Sequence, residues 1–424
     1  MMSAIRKLLA VDSATTALPP VASTRTSHTP TGEAALATAL PLKPPRLDSV
    51  DILRGIVMVI MALDHVRDFF TDLRYDPTDL TQASAGLFLT RWITHFCAPV
   101  FVFLAGTGAF LSASRGKPVK ELSRFLWTRG LMLVLFEWTV IRLAWVFNFS
   151  PNFLFVQVIW VIGVSMICLA GLVYLSKKTI AAIGIVMIVG HNALDGITPE
   201  TFGSLGIVWG LLHVSQPFQL STTTMFWPLY PLIPWIGVMA VGYVFGAILL
   251  YNPERRRQTL LRLGLALTVA FVVIRALNVY ADPHPWTTLK DALFTFFSFI
   301  NTTKYPPSLD FLLMTLGPSI AALALFDRGL GRSGQFFVVF GRVPMFFYIV
   351  HIYLIHGLAV VAGVLQGFEA KAFFELMFQF PPSYGFGLPV VYLVWIGVVL
   401  CLYPACRWFG ELKRRRKDAW LSYV

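Results

Sequence analysis

Residues 63–70 read LDHVRDFF and follow directly on GIVMVIMA (55–62), so Asp64, His65, Arg67 and Asp68 close a run that is otherwise lipid-like. Ionisable groups in such a run are costly and by default mark a path or a site, with ion pairing between helices as the alternative. An imidazole beside a carboxylate is held in one tautomer and becomes a better base, which suits proton removal from a hydroxyl or amine. On a helical wheel Arg54, Met61, His65 and Asp68 share a stripe and Asp64 sits to one side, so the stripe is expected to face protein. His65, oriented by Asp68 or Asp64, is the expected base, against a structural Asp–His–Arg knot as the competing reading.

Other histidines join the search. His95 lies in TRWITHFCAPVFVFLAG at a depth close to that expected for His65, with Pro99 beyond it to bend the helix and free carbonyls. His351 and His356 in GRVPMFFYIVHIYLIHGLA are five residues apart, or about 140° on the wheel. They should point different ways, at most one reaching the His65 cavity. That spacing is wrong for a two-His ligand pair, so no metal is expected. In NTTKYPPSLDF two prolines deny a helix and present Lys304 and Tyr305 near the mouth of the cavity. Lys304, Tyr305 and His356 are the expected substrate contacts. Glu137 with Arg142, Arg275 and Asp310 are read as ion pairs within the bundle.

At the opposite ends of the spans, Arg54, Arg129 and Arg342 are placed where a cytosolic anion can reach. Arg54 and His65 are eleven residues apart, about 16 Å along a helix axis. A long ligand with an anionic head at Arg54 would present its far end at His65, which is the shape of an acyl-coenzyme A.

The elements that must hold these groups follow from composition. Of 424 residues 56% are hydrophobic and 13% charged, with a mean hydropathy of +0.69, far from a soluble domain. Runs of about 20 apolar residues recur, rather than the alternating runs of a membrane barrel. The expected fold is all-α: a polytopic membrane bundle of about ten helices over 50–71, 87–113, 124–147, 152–176, 179–195, 229–251, 258–280, 308–326, 336–365 and 388–410. Two shorter apolar segments, 202–214 and 289–300, are expected to lie in the interface or re-enter the bundle. The basic residues concentrate in alternate loops, which places both termini in the cytoplasm and the protein in the inner membrane. Residues 1–45 are expected to form a disordered cytoplasmic tail, 46–412 the membrane domain and 413–424 a basic cytoplasmic tail. The net charge of +12 is explained by topology and anionic lipid. Scattered basic residues without interleaved aromatics argue against nucleic acid as a partner. The cysteines, Cys97, Cys168, Cys401 and Cys406, all fall in spans as small core residues.

Several stretches resemble one known family: RLDSVDILRGIVMVIMALDH (46–65), FCAPVFVFLAGTGAFLS (96–112), YPLIPWIGVMAVGYVFG (230–246), KYPPSLDFLLMTLGP (304–318) and FGRVPMFFYIVHIYLIH (340–356). They are similar to the bacterial members of the heparan-α-glucosaminide N-acetyltransferase catalytic-domain family, over essentially everything after residue 45. The resemblance implies a transmembrane enzyme that passes acetyl from cytosolic acetyl-CoA to a sugar amine or hydroxyl on the other side. Related polysaccharide O-acetyltransferases carry an arginine followed eleven residues later by a catalytic histidine, which Arg54 and His65 match. The lysosomal enzyme departs from this chain, with asparagine at the position of His65, aspartate at that of His95 and its proposed active histidine in the loop before span two. No histidine lies between 66 and 94 here, which favours His65.

The expected function is acyl transfer from acyl-CoA to a carbohydrate or glycolipid acceptor. His65, Asp64, Asp68 and His95 would serve at the catalytic centre and Arg54, Arg129 and Arg342 at the donor. The alternative is a proton-coupled transporter or flippase in which the same histidines and aspartates relay protons. A homo-oligomer is compatible with the sequence, which does not fix the oligomeric state.

Overall fold

A computed structural model describes residues 47–416 together with Asp418 and Leu421. The expected N-terminal tail lies outside these residues. The described chain is mostly helical. Helix α1 runs from Asp48 to Phe70, with Asp48 and Asp51 in its first turn and Arg67 in its last, an order that complements the helix dipole. Next come α2 (Ala85–Ile93), a 3₁₀ turn over Thr94–Phe96, and α3 (Cys97–Ala113). Pro99 lacks the amide that would bond the His95 carbonyl, so the distortion falls at that histidine.

α4 (Val119–Phe136) passes through a π-turn, Glu137–Ile141, into α5 (Arg142–Val146), which Phe147 ends in a left-handed conformation. Strand β1 (Phe153–Val156) precedes α6 (Val158–Leu172) and α7 (Lys177–Gly190); α8 (Gly206–Leu212) and strands β2 (Phe218–Gln219) and β3 (Met225–Pro228) follow. The three strands form a small sheet ordered β1-β3-β2, β1 parallel to β3 and β2 antiparallel. The remaining helices are α9 (Leu232–Phe245), α10 (Pro253–Leu277), α11 (Ala292–Ile300), α12 (Leu309–Phe326), α13 (Gly331–Arg342), α14 (Pro344–Leu365) and α15 (Leu388–Arg415).

Among the described residues six helices are long and apolar enough to cross a membrane: α2 with α3, α9 with its following turn, α10, α12, α14 and α15. α7 and α8 belong to a seventh, broken candidate whose halves, Lys177–Leu194 and Pro199–Leu212, meet at 109°. By length and composition six or seven of the ten expected spans are found, and the others fall short of that mark for physical reasons. α1 is 23 residues long but carries six aspartates and arginines. α4 carries Lys120, Glu121, Arg124 and Arg129 in 18 residues, and α6 has only 15. The expected single helix over 336–365 is two, α13 and α14, separated at Val343 before Pro344, because the residue preceding proline avoids the helical region. The expected C-terminal tail begins as helix, since α15 continues through Lys413–Arg415.

α1 is the hub, packed against α13, α14, α15, α12 and α3. Small residues let the helices approach closely, as membrane helices without a hydrophobic drive between them require. A Cβ at Gly55 would lie 1.9 Å from the Phe337 carbonyl oxygen, and one at Gly341 1.9 Å from that of Asp51. The α3–α9 contact is built alike, around Gly106 and Gly242, with Thr107 Oγ1 donating across it to the Gly242 carbonyl at 3.0 Å.

Candidate functional site

His65 sits near the C-terminal end of α1, 9% exposed, and Nδ1 lies 2.7 Å from His351 Nε2 on α14. The two rings are nearly parallel, 5.0 Å between centroids. His351 Nδ1 lies 2.8 Å from the carbonyl oxygen of Phe347, one turn earlier on the same helix. A carbonyl only accepts, so His351 Nδ1 carries the proton and its Nε2 is a lone pair. With both rings neutral, His65 Nδ1–H donates to it, and His65 Nε2 is the unprotonated nitrogen. This chain of assignments selects the tautomer a general base requires. The indole of Trp145 meets the His65 ring edge-on at 5.0 Å, and Phe347 stacks on His351 at 4.8 Å.

The expected orienting carboxylates are engaged elsewhere. Asp64 is held by Arg91 at 2.8 Å, by Arg67 at 2.9 Å and by Thr94 Oγ1 at 2.9 Å. Asp68 pairs with Arg67. His351, rather than either aspartate, orients His65. The reason is rotational: Asp64 turns toward Arg91 of α2 and Asp68 toward Arg67 of its own helix, while His65 turns toward α14.

Asp64 nevertheless holds two positive groups, Arg67 and Arg91, beside His65. Lys304, 9% exposed, comes within electrostatic reach of Asp64, His65 and His95, and its ammonium is 5.1 Å from the centre of the Tyr305 ring. Tyr305 packs edge-on against Tyr230 at 5.3 Å and also faces Arg91. Lys304 is thus buried in the cluster rather than displayed at a mouth. Three cations, Arg67, Arg91 and Lys304, face two carboxylates, Asp64 and Asp68, so one positive charge is in excess beside His65. Such a field stabilises a developing oxyanion. His95 is 2% exposed, packs on Phe311 at 5.4 Å, and its Nδ1 has no hydrogen-bond partner among the described residues.

His356 is not available to a substrate. Its Nδ1 and Nε2 lie 2.8 Å from the Ala144 carbonyl and 2.7 Å from that of Phe373, and Phe147 stacks on it at 3.7 Å. It ties α5 to the turn at 370–374, and the expected divergence of His351 and His356 is what separates their roles. Glu137 and Arg142 are likewise not a pair: Glu137 accepts from the amides of Gln157 and Trp160 at the start of α6, and Arg142 donates to the carbonyls of Phe153 and Ser150.

Beside α5 lies a cavity of about 460 Å³ lined mainly by polar side chains, among them Arg142, Asn148, Asn152, Gln219, Glu375 and Gln379. Val146 contributes to its wall, and the preceding residue is the Trp145 that covers His65.

At the far end of α1, Arg54 meets Asp51 at 3.3 Å and the Gly341 carbonyl at 3.2 Å, while Arg342 meets Asp48 at 3.2 Å and Asp51 at 3.7 Å. The fold brings Arg54 and Arg342 together there. Arg129 is on α4, its guanidinium 5.8 Å from the Phe125 ring.

Residues 46–285 match the family described as heparan-alpha-glucosaminide N-acetyltransferase, catalytic. The chain belongs to that family. Membership indicates a membrane acetyltransferase. No curated protein matches the chain in a direct comparison. The family match contains Arg54, Asp64, His65 and His95, whereas Lys304 and His351 lie beyond it. Residue-type reasoning did not single out Arg91 or Tyr230. Arg91 had a legible signal, standing four residues before His95 and hence on the same helical face. Among the described residues no group of three or more His, Cys, Asp or Glu is arranged to hold a metal ion.

Proposed function

We propose that the protein transfers an acetyl group from cytosolic acetyl-CoA to a sugar amine or hydroxyl presented from the other side of the membrane, with His65 as the general base. Acetyl-CoA lies with its phosphates toward the Arg54–Arg342 end of α1 and its thioester toward His65, and Arg129 supplies further positive charge on that side. The acceptor enters through the polar cavity beside α5 and passes Trp145. His65 Nε2 takes the acceptor proton as the acceptor nitrogen or oxygen bonds to the acyl carbon. The carbon–sulfur bond then breaks, and the thiolate of coenzyme A takes the proton back from the imidazolium. Lys304, with Arg91 behind it, stabilises the oxyanion, and His95 positions the acceptor.

The observation that carries this reading is the His65–His351–Phe347 carbonyl relay, which leaves a lone pair on His65 beside an excess positive charge. A proton relay for transport needs groups that pass a proton onward, and this chain ends on a carbonyl. The test is coenzyme A release from acetyl-CoA by purified protein in detergent with glucosamine as acceptor, for wild type and His65→Ala. Release by wild type alone, with acetyl-CoA bound by both, supports acyl transfer. Acetyl-CoA binding by neither would reject it.

A further inference from the structure

Arg275 and Asp282 form a buried hub that the chemistry above does not use. Arg275, 2% exposed near the end of α10, donates to four backbone carbonyls: Phe299 at 2.9 Å, His284 at 3.0 Å, Ser298 at 3.2 Å and Asn301 at 2.9 Å. All lie between Asp282 and the loop at 301–308. Its guanidinium also lies 3.8 Å from Asp282 and 3.8 Å from Asp310. Asp282 receives the amide of Thr303 at 2.8 Å, the Thr303 hydroxyl at 2.8 Å, the Ser308 hydroxyl at 2.6 Å and the amide of His284 at 2.9 Å.

These bonds have one geometric result. Arg275 fixes the chain entering the loop at Asn301, and Asp282 fixes it at Thr303 and Ser308. Lys304 lies between those anchors, and the Ser308 hydroxyl also caps α12 by accepting the Phe311 amide at 3.0 Å. An ammonium on a flexible four-carbon stem positions charge poorly unless its backbone is held. An ion pair alone would not need four carbonyls on one side and two hydroxyls on the other. A side chain within the helical bundle is thereby coupled to a loop that has no helix of its own.

We propose that Arg275 and Asp282 are positioning residues that hold Lys304 in its buried place beside Asp64 and His65. The consequence for turnover rests on the acyl-transfer reading above, whereas the placement of Lys304 does not. Without the hub the 301–308 loop loosens and the Lys304 ammonium leaves the cluster.

The test reads the placement directly. Full-length protein in detergent is treated with formaldehyde and cyanoborohydride, and methylation of Lys304 is followed by peptide mass spectrometry, with exposed Lys371 as the internal control. Wild type, Asp282→Asn and Asp282→Ala are compared, the first retaining one acceptor for the Thr303 amide. Lys304 methylation is expected to rise severalfold in Asp282→Ala and less in Asp282→Asn, with Lys371 unchanged. Equal Lys304 labelling in all three would overturn the proposal. Should Asp282→Ala fail to fold, judged by gel filtration, Thr303→Ala combined with Ser308→Ala removes the same anchors from the loop side and is read the same way. Coenzyme A release supplies a second readout. If Asp282 acts through Lys304, adding Asp282→Ala to Lys304→Ala lowers the rate no further, whereas independent effects multiply. Raised labelling together with an active His65→Ala variant would leave the hub standing and remove the reading it rests on.

Discussion

His65 Nδ1 and His351 Nε2 are 2.7 Å apart, although 286 residues of chain separate them. Their contact decides which nitrogen of His65 carries the proton, because the Phe347 carbonyl fixes His351 first. Neither aspartate next to His65 in sequence does this.

Replacing His65 by alanine should lower coenzyme A release by roughly 10²–10⁴-fold, the usual contribution of a positioned base. Acetyl-CoA affinity, measured by calorimetry, should stay within about twofold, since the proposed binding mode puts the head of the donor at the other end of α1. Normal turnover in the variant would remove His65 from the chemistry.

His351→Phe removes the acceptor from His65 Nδ1 while keeping a ring in the stack with Phe347. Turnover should drop about tenfold to a hundredfold, by analogy with the loss of a partner that orients a metal-bound histidine. His351→Gln, whose amide oxygen can accept, should recover part of it. If both variants match wild type, the relay has no part in the rate.

Asp64→Asn leaves Arg67 and Arg91 buried without their shared carboxylate. Removing one partner of a buried ionic group costs about 3–5 kcal/mol, so thermal melting followed by gel filtration should show a large loss. Asp68→Asn should cost less, because the Asp68 side chain is 27% exposed and Arg67 keeps its pair with Asp64. Similar melting curves for the two variants would contradict this division.

Gly242→Ala places a methyl 2.2 Å from the Phe103 carbonyl oxygen, whereas Gly108→Ala meets nothing within 4 Å among the described residues. The first should destabilise by about 1–3 kcal/mol or more, as overpacking does, and the second should be silent. The melting temperatures of the pair check the α3–α9 contact without reference to function.

Filling the polar cavity tests where the acceptor enters. Gln379→Trp should raise the KM for glucosamine and leave acetyl-CoA binding unchanged. An unaltered acceptor KM would place the entry route elsewhere.

Much of the fold was legible because hydropathy and helical period are local properties. The positions of α1, α3, α9, α12 and α15 followed from apolar runs, and the family from five stretches of sequence. The span count was less legible, since α1 carries buried charges such as Asp51 and Arg67, α4 opens on the exposed Lys120, Glu121 and Arg124, and α6 is short. The histidines, Lys304 and Tyr305 drew notice because ionisable groups in apolar runs demand a reason.

What sequence alone determined was which residues would be costly to expose to lipid and on which stripe of their own helix they stand. It could not determine their partners. Asp64 and His65 are adjacent in the chain, yet a helix turns about 100° between them, so α2 receives one and α14 the other. Which helix stands at each bearing depends on packing across hundreds of residues, set by contacts such as Gly55 against Phe337 and Gly341 against Asp51. For the same reason His351 became the partner of the base and His356 a strut between two carbonyls, a difference that five residues of spacing announced and only the tertiary structure assigned.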